Sequence, residues 1–405
     1  MTAARTRPAS PIDLMDLTPW AEDRDAEVFA QLRAAGRIFW NDEAGGAGFW
    51  NLVRYDDVRD AASDAPRLSS EDGTQIVSRR AEGALHSLHN MDDPEHAKLR
   101  KIATPHLRAV SVRRWQEVID EVVTQLLDDA ATKVEFDLVE VVAARLPMLV
   151  LARVLGVPAA DAPRMVDWTN RLTSADPDAF VDTDALAATR HEIMDYFRWL
   201  TEERRAAPTG DLVSVLATAT KDGVPLTWDE LAAYYVVLVA AGNETTRALI
   251  SGGVAALSDN PDQRRRLSAD PDLIPSAVEE MFRYVSPIGC MRRTALEDMT
   301  LAGQEIAAGD KVVLWFGSAN RDEAVFEDAD AFRLDRSPNP HLTFGWGVHA
   351  CLGAHLARAE VITLLRSMGE RRMAFDRTAP VTRLRHNLFR GWTSVPVRLV
   401  DADRA

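Results

Sequence analysis

The chain has 405 residues, 46% of them hydrophobic and 27% charged, with a formal net charge of −15 at pH 7. This is the balance of a folded, water-soluble protein large enough to enclose a bulky ligand without disulfide staples, and length alone suggests two or three domains. The acidic field excludes a general nucleic-acid binder, and two cysteines, Cys290 and Cys351, exclude a disulfide framework and point to a reducing, cytoplasmic setting.

The opening MTAARTRPASPIDL has no apolar run of the signal-peptide kind, and residues 1–20 are expected to form a loosely packed arm. Residues 36–56 place aromatic and β-branched residues around Glu43-Ala44-Gly45-Gly46, which predicts a hairpin with the glycine pair as its turn. Most of 57–285 is patterned as helices broken at Pro or Gly. Thr227 and Glu230 form a Thr-x-x-Glu capping box at the head of a helix over 228–257, and Ser258-Asp259-Asn260-Pro261 ends it. Its most apolar part, Leu231 to Gly242, is about 12 residues, short of the ~20 that span a bilayer, so no membrane anchor is expected. Residues 296–316, with Gly303 and Gly309, alternate as short strands; a loop-rich stretch fills 317–350, and a last long helix runs from about Cys351 to Arg372. With no repeat and no flexible linker, residues 1–405 read as one α-rich domain with small β-sheets.

The strongest signal is Phe344-Gly345-Trp346-Gly347-Val348-His349-Ala350-Cys351-Leu352-Gly353. Three glycines permit a tight loop and close approach of backbone to a flat ligand. Cys351 stands where loop becomes helix, and a helix N-terminus favours a thiolate over a thiol. A thiolate on haem iron pushes electron density toward oxygen and favours O–O cleavage. Cys290, in Pro287-Ile288-Gly289-Cys290, has neither glycine cradle nor following helix, and reads better as a small buried hydrophobe.

In this loop, and in three further motifs in matching order, the chain resembles the cytochrome P-450 family along nearly its whole length. The resemblance implies a mainly α fold with small β-sheets, haem b as cofactor and Cys351 as the axial metal ligand, with Phe344, Gly345 and Gly353 around it. The second motif is Ala241-Gly242-Asn243-Glu244-Thr245-Thr246 within the long helix. An acid and a hydroxyl in an apolar helix are unfavourable unless used or satisfied. Their use is proton delivery, since reducing oxygen consumes two protons, and Gly242 would let the helix open locally. The resemblance sets Ala241 against the distal haem face and gives Glu244 and Thr245 the catalytic role, with Glu244 in place of the commoner aspartate. Glu280 and Arg283, three apart on one helix face, can pair and are implied to buttress the cysteine loop. The fourth set is His96, Arg100, Arg293 and His349, matching positions that hold the two propionates.

Val237 and Ala240 on the long helix, the segment Ile288-Gly289-Cys290 and Phe389 match pocket-lining positions. They suggest an apolar site for a steroid, terpenoid or fatty acyl substrate whose C–H bond receives one oxygen atom. β-Hydroxylation of an amino acid on a carrier protein, and oxidative coupling or peroxygenase chemistry, stand as alternatives; a haem-less interaction module is disfavoured by the intact cysteine and cation set. The chain lacks flavin, dinucleotide and iron–sulfur signatures, so electrons from NAD(P)H must arrive through partners, a ferredoxin and its reductase. Lys98, Arg100, Lys101, Arg108, Arg113 and Arg114 form either a solvated helical face or the docking surface for that acidic carrier.

Overall fold

The computed structural model describes residues 7–77, 87–173 and 183–402. The predicted hairpin forms: β1 (Ile38–Asn41) runs antiparallel to β2 (Phe49–Leu52), with Trp40 opposite Trp50. Its turn differs from expectation, because Gly45 and Gly48 take the positive φ angles of 73° and 82° while the adjacent Gly46 does not. Gly48 has a further reason to be glycine, since a Cβ there would lie 2.4 Å from the Trp40 ring. Residues 8–20 are not the loose arm expected. Ser10 donates its N–H to Trp40 O at 2.7 Å, Trp40 N–H returns to Pro8 O at 2.7 Å, and Leu14 is fully buried. The unpaired edge of β1 thus takes this segment as a partner, which covers backbone groups that an open edge would leave bare.

β3 (Leu68–Ser69), β4 (Met291–Ala295) and β5 (Lys311–Leu314) complete a five-stranded sheet in the order β1-β2-β5-β4-β3. β5 is parallel to β2 and antiparallel to β4. The alternation read over 296–316 resolves into a tight hairpin, Met299–Leu301 with Gln304–Ile306, followed by β5. A three-stranded sheet joins Phe136–Asp137, Met373–Arg377 and Pro396–Asp401.

Helices make up the rest of the frame: α1 (Glu95–Leu107), α2 (Gln116–Ala131), α3 (Arg145–Leu155), α4 (Trp228–Asp259), α5 (Ile274–Val285) and α6 (Ala354–Glu370). α4 packs on α3 and α5, α6 on α2 and α5, and α2 on α3. Leu126, Leu127, Leu146, Val150, Leu249 and Leu364 meet there in one fully buried core, each contributing roughly 1.5–3 kcal/mol of apolar burial. The capping box at the head of α4 is made as predicted: Glu230 N–H bonds Thr227 Oγ1 at 3.3 Å, and Thr227 N–H bonds Glu230 Oε2 at 2.8 Å. The helix runs two residues past 257, to Asp259, and stops where Pro261 opens the next one. α6 begins at Ala354 with Gly353 as its N-cap, so Cys351 sits in the turn before the helix and not within it. Among the described residues no helix is long and apolar enough to cross a membrane.

Candidate functional site

The cysteine loop closes on itself. Cys351 N–H donates to Phe344 O at 2.7 Å, Gly345 N–H to Leu342 O at 2.8 Å, and Ala350 N–H to Gly347 O at 3.1 Å. Gly345 and Gly347 hold positive φ angles of 69° and 72°. At Gly347 a Cβ would also lie 2.7 Å from Ala62 O, so both conformation and space demand glycine. The Cys351 side chain is accessible although it lies deep in the protein, which places it on interior space and not on bulk solvent. Ala241, in the middle of the otherwise buried α4, is accessible in the same way. Burial pushes the Cys351 thiol up, against the Gly353 N–H, Arg100 and Arg358, which pull it down. A bound cation beside the sulfur would add to the pull toward the thiolate.

All four sequence-predicted cations and imidazoles gather beside that space. His96 on α1 stacks on His349, ring centroids 4.3 Å apart. Its Nδ1 meets Asp93 Oδ1 at 3.1 Å, while its Nε2 is buried with no partner. Arg100, one turn on, donates to Ala350 O in the cysteine loop. Arg293 on β4 is 6% exposed, bonds only the carbonyl of Arg292 at 2.9 Å, and is lowered to about 10 by burial, with Asp92 opposing. Among the described residues no carboxylate pairs with it. His349 rests its Nε2 3.3 Å from Ser70 Oγ and is brought down to about 3 by burial and by Arg293, His96 and Arg100. A buried guanidinium without an anion, beside an imidazole whose free Nε2 becomes a donor when the ring is protonated, suits a ligand bearing carboxylates. Haem b, with two propionates and an iron that takes a thiolate, fits this set.

Across the interior space, Thr245 Oγ1 donates to Ala241 O at 3.0 Å. Glu244 is buried, with Oε2 3.4 Å from Arg247 Nη1. The helix does not open at Gly242, contrary to expectation, but stays α-helical through the motif. Gly242 is explained instead by packing, because a Cβ there would lie 3.0 Å from Leu151 of α3. Of the pocket residues, Val237 is partly accessible and Ile288 and Phe389 are joined by an antiparallel bridge that sets them side by side. Gly289 and Cys290 are buried away from open space, Gly289 because Asn387 O would lie 2.7 Å from its Cβ. The Cys290 thiol points to Asn387 O at 3.7 Å, and full burial pushes it far up, so it is not a pocket wall. The Ala240 side chain lies outside the described residues.

Behind the loop, Glu280 and Arg283 pair as predicted, at 2.8 Å through Nε and 2.8 Å through Nη2, both side chains wholly buried. Sequence reasoning did not find their third member, Arg336, whose Nε lies 3.1 Å from Glu280 Oε2. Nor did it single out Arg358 on α6, which lies over the Phe344 ring at 4.2 Å and bonds Glu279 at 2.6 Å. Its place in the first turns of the helix that follows Cys351 was the available signal. His89 was also passed over, although Ser87-x-x-Asn90 around it is a helix-start pattern.

A family model described as "Cytochrome P450" matches residues 19–370. The methyl-branched lipid omega-hydroxylase of Mycobacterium tuberculosis is 38% identical over 96% of this chain and 95% of that protein. The steroid C26-monooxygenase of Mycolicibacterium smegmatis is 35% identical over 89% of this chain and 87% of that one. The crystal structure of a Mycobacterium marinum cytochrome P450 in complex with pseudoionone superposes with a TM-score of 0.89 at 33% identity, covering 98% of this chain and all of the other.

Proposed function

The chain belongs to the cytochrome P450 family and is a haem-thiolate monooxygenase fed by NAD(P)H through separate redox partners, and from that premise we propose that it hydroxylates a C–H bond near the end of a lipid, terpenoid or steroid side chain. The relatives named above, acting on a methyl-branched lipid and a steroid, support this class of substrate, as do the apolar Val237 and the Ile288–Phe389 wall. The haem supplies reductive activation of oxygen. Cys351 would hold its iron through the thiolate, and the inward-facing sulfur supports that role. His96 Nε2, Arg100, Arg293 and His349 receive the propionates, with Ala241, Phe344, Gly345 and Gly353 shaping the space for the ring. Glu244 would take a proton from water and pass it toward Thr245, whose hydroxyl here donates to Ala241 O.

The electron donor is a ferredoxin, with its reductase, and the single domain works in the cytoplasm. Of the six basic residues expected at the docking face, Lys98 is engaged by Glu95 and Asp222, and Arg100 is turned to the cysteine loop. Lys101, Arg108, Arg113 and Arg114 are exposed with no acidic partner among the described residues, around Val110, which is 71% exposed. An apolar centre ringed by cations suits an acidic carrier.

One observation carries the reading, the Cys351 sulfur opening onto an interior space flanked by Arg293 and the unpartnered Nε2 of His96. Cys351→Ala is expected to abolish the thiolate-type absorbance of the reduced carbon-monoxide complex; retention of that band refutes the assignment. Titrating the ferric protein with steroids, terpenoids, fatty acids and carrier-bound amino acids tests the substrate class. A spin-state change with carrier-bound amino acids alone replaces it.

A further inference from the structure

His89 has no part in the roles above, yet three observations set it at the site. Its side chain is accessible while lying deep in the protein, the signature that Cys351 and Ala241 share, so its ring borders the interior space. It lies within electrostatic reach of Arg293 and of His349, which puts it on the side where β4 carries its guanidinium inward. Its orientation is fixed: Ser87 Oγ lies 2.7 Å from Nδ1, and Ser87 is itself locked by a capping box with Asn90. The Ser87 hydroxyl has one proton, and Asn90 Oδ1 at 3.2 Å is the longer of its two contacts. Either the hydroxyl donates to Nδ1, which leaves the hydrogen of the neutral ring on Nε2, or Nδ1–H donates to the hydroxyl and the hydroxyl to Asn90 Oδ1.

The two carboxylates of haem b are assigned above to Arg100, Arg293, His96 and His349, a set that does not include His89. The chain entering β4, whose Arg293 lies within electrostatic reach of His89, comes directly from the Ile288–Phe389 wall. We infer that His89 is a specificity residue that takes the first of these tautomers and donates its Nε2–H to an oxygen of the substrate, a carbonyl, carboxylate or hydroxyl remote from the carbon that is oxidised. A largely apolar pocket with one oriented donor fixes the direction in which a long molecule enters. This rests on the proposed substrate class and narrows it to chains bearing an oxygen at the far end.

The test uses the ferric holoenzyme and three matched pairs: dodecanoic acid with dodecane, farnesol with farnesene, and cholest-4-en-3-one with cholestene. Dissociation constants come from the spin-state change, for wild type, His89→Leu and His89→Gln. The wild type is expected to prefer at least one oxygenated member roughly tenfold, the worth of one well-made hydrogen bond. His89→Leu should erase that preference and His89→Gln, which keeps an N–H, should restore part of it. Equal affinity of the wild type for both members of every pair overturns the inference and leaves the substrate class standing. No spin-state change with any of the six overturns both. Lowered haem content or an altered reduction potential in substrate-free His89→Leu, with the preference retained, reassigns the residue to the cofactor and likewise overturns it.

Discussion

Removal of the Glu280 carboxylate probes how the cysteine loop is held. Glu280 is completely buried and accepts from Arg283 Nε and Nη2, from Arg336 Nε, from Arg333 N–H at 2.9 Å and from Asn339 Nδ2 at 3.2 Å. Arg283 also donates to Ala329 O at 2.7 Å and Asn320 O at 2.9 Å, and Asn320 Oδ1 takes the Leu342 N–H at 2.6 Å, two residues before Phe344. Glu280→Ala would leave two guanidiniums, 0% and 6% exposed, facing no anion. Breaking a buried pair from one side costs about 3–5 kcal/mol, against roughly 5–15 kcal/mol for a folded domain. With an unfolding entropy of about 2.1 cal/mol/K per residue, 405 residues give about 0.85 kcal/mol/K, so the midpoint should fall by roughly 4–6 °C. Because the bonds run through Asn320 to the residues preceding Cys351, haem incorporation should fall together with stability. Thermal unfolding followed by circular dichroism, beside the haem-to-protein absorbance ratio, measures both. A variant with wild-type midpoint and full haem content would show that the network is dispensable, and the reasoning would be wrong.

Three further outcomes follow from named groups. Thr245→Ala should keep haem content but divert reducing equivalents to hydrogen peroxide, lowering coupling roughly tenfold or more; peroxide formed per NAD(P)H consumed measures it, and unchanged coupling removes Thr245 from the relay. Glu360 on α6 is 2% exposed and burial raises its carboxyl to about 8 from an ordinary 4.5. The folded state therefore binds a proton that the unfolded state has lost between those values, and stability falls as pH rises through that window. Glu360→Gln should remove this fall, and parallel denaturation curves for wild type and variant from pH 5 to pH 8 would exclude it. Reversing Arg113 and Arg114 to Glu should slow ferredoxin-driven turnover on the order of tenfold at low ionic strength, with the difference shrinking in high salt. Peroxide-driven turnover should be unaffected; equal loss in both assays would count against a docking role.

Where interactions are local, the sequence was readable. The capping box of α4 needs two residues three apart, and both bonds are made. The glycines of the cysteine loop announce backbone angles that only they adopt readily. Glu280 and Arg283 meet because one helical turn joins them. Arg336 joins the same carboxylate from 56 residues away, and nothing in its neighbours marks it. Gly242 illustrates an ambiguity of another kind, since a missing side chain permits an opened helix or a close neighbour with equal ease, and only the position of Leu151 decides. Cys290 was read correctly as a buried hydrophobe from its own surroundings, while the pocket position implied by resemblance failed because the segment turns its thiol toward Asn387.

By itself, then, the sequence determined the bounds of the long helix α4, the first hairpin and which cysteine stands in a glycine-built turn, because periodicity, capping and turn chemistry act over a few residues, while the mainly helical haem protein was what the resemblance of its motifs implied. The tertiary structure alone decided that Cys351 looks inward, that Arg293 lacks a counter-ion among the described residues, and that His89 borders the same space. Those are properties of a cavity, and a cavity is made by segments far apart in the chain whose packing fixes what each side chain faces.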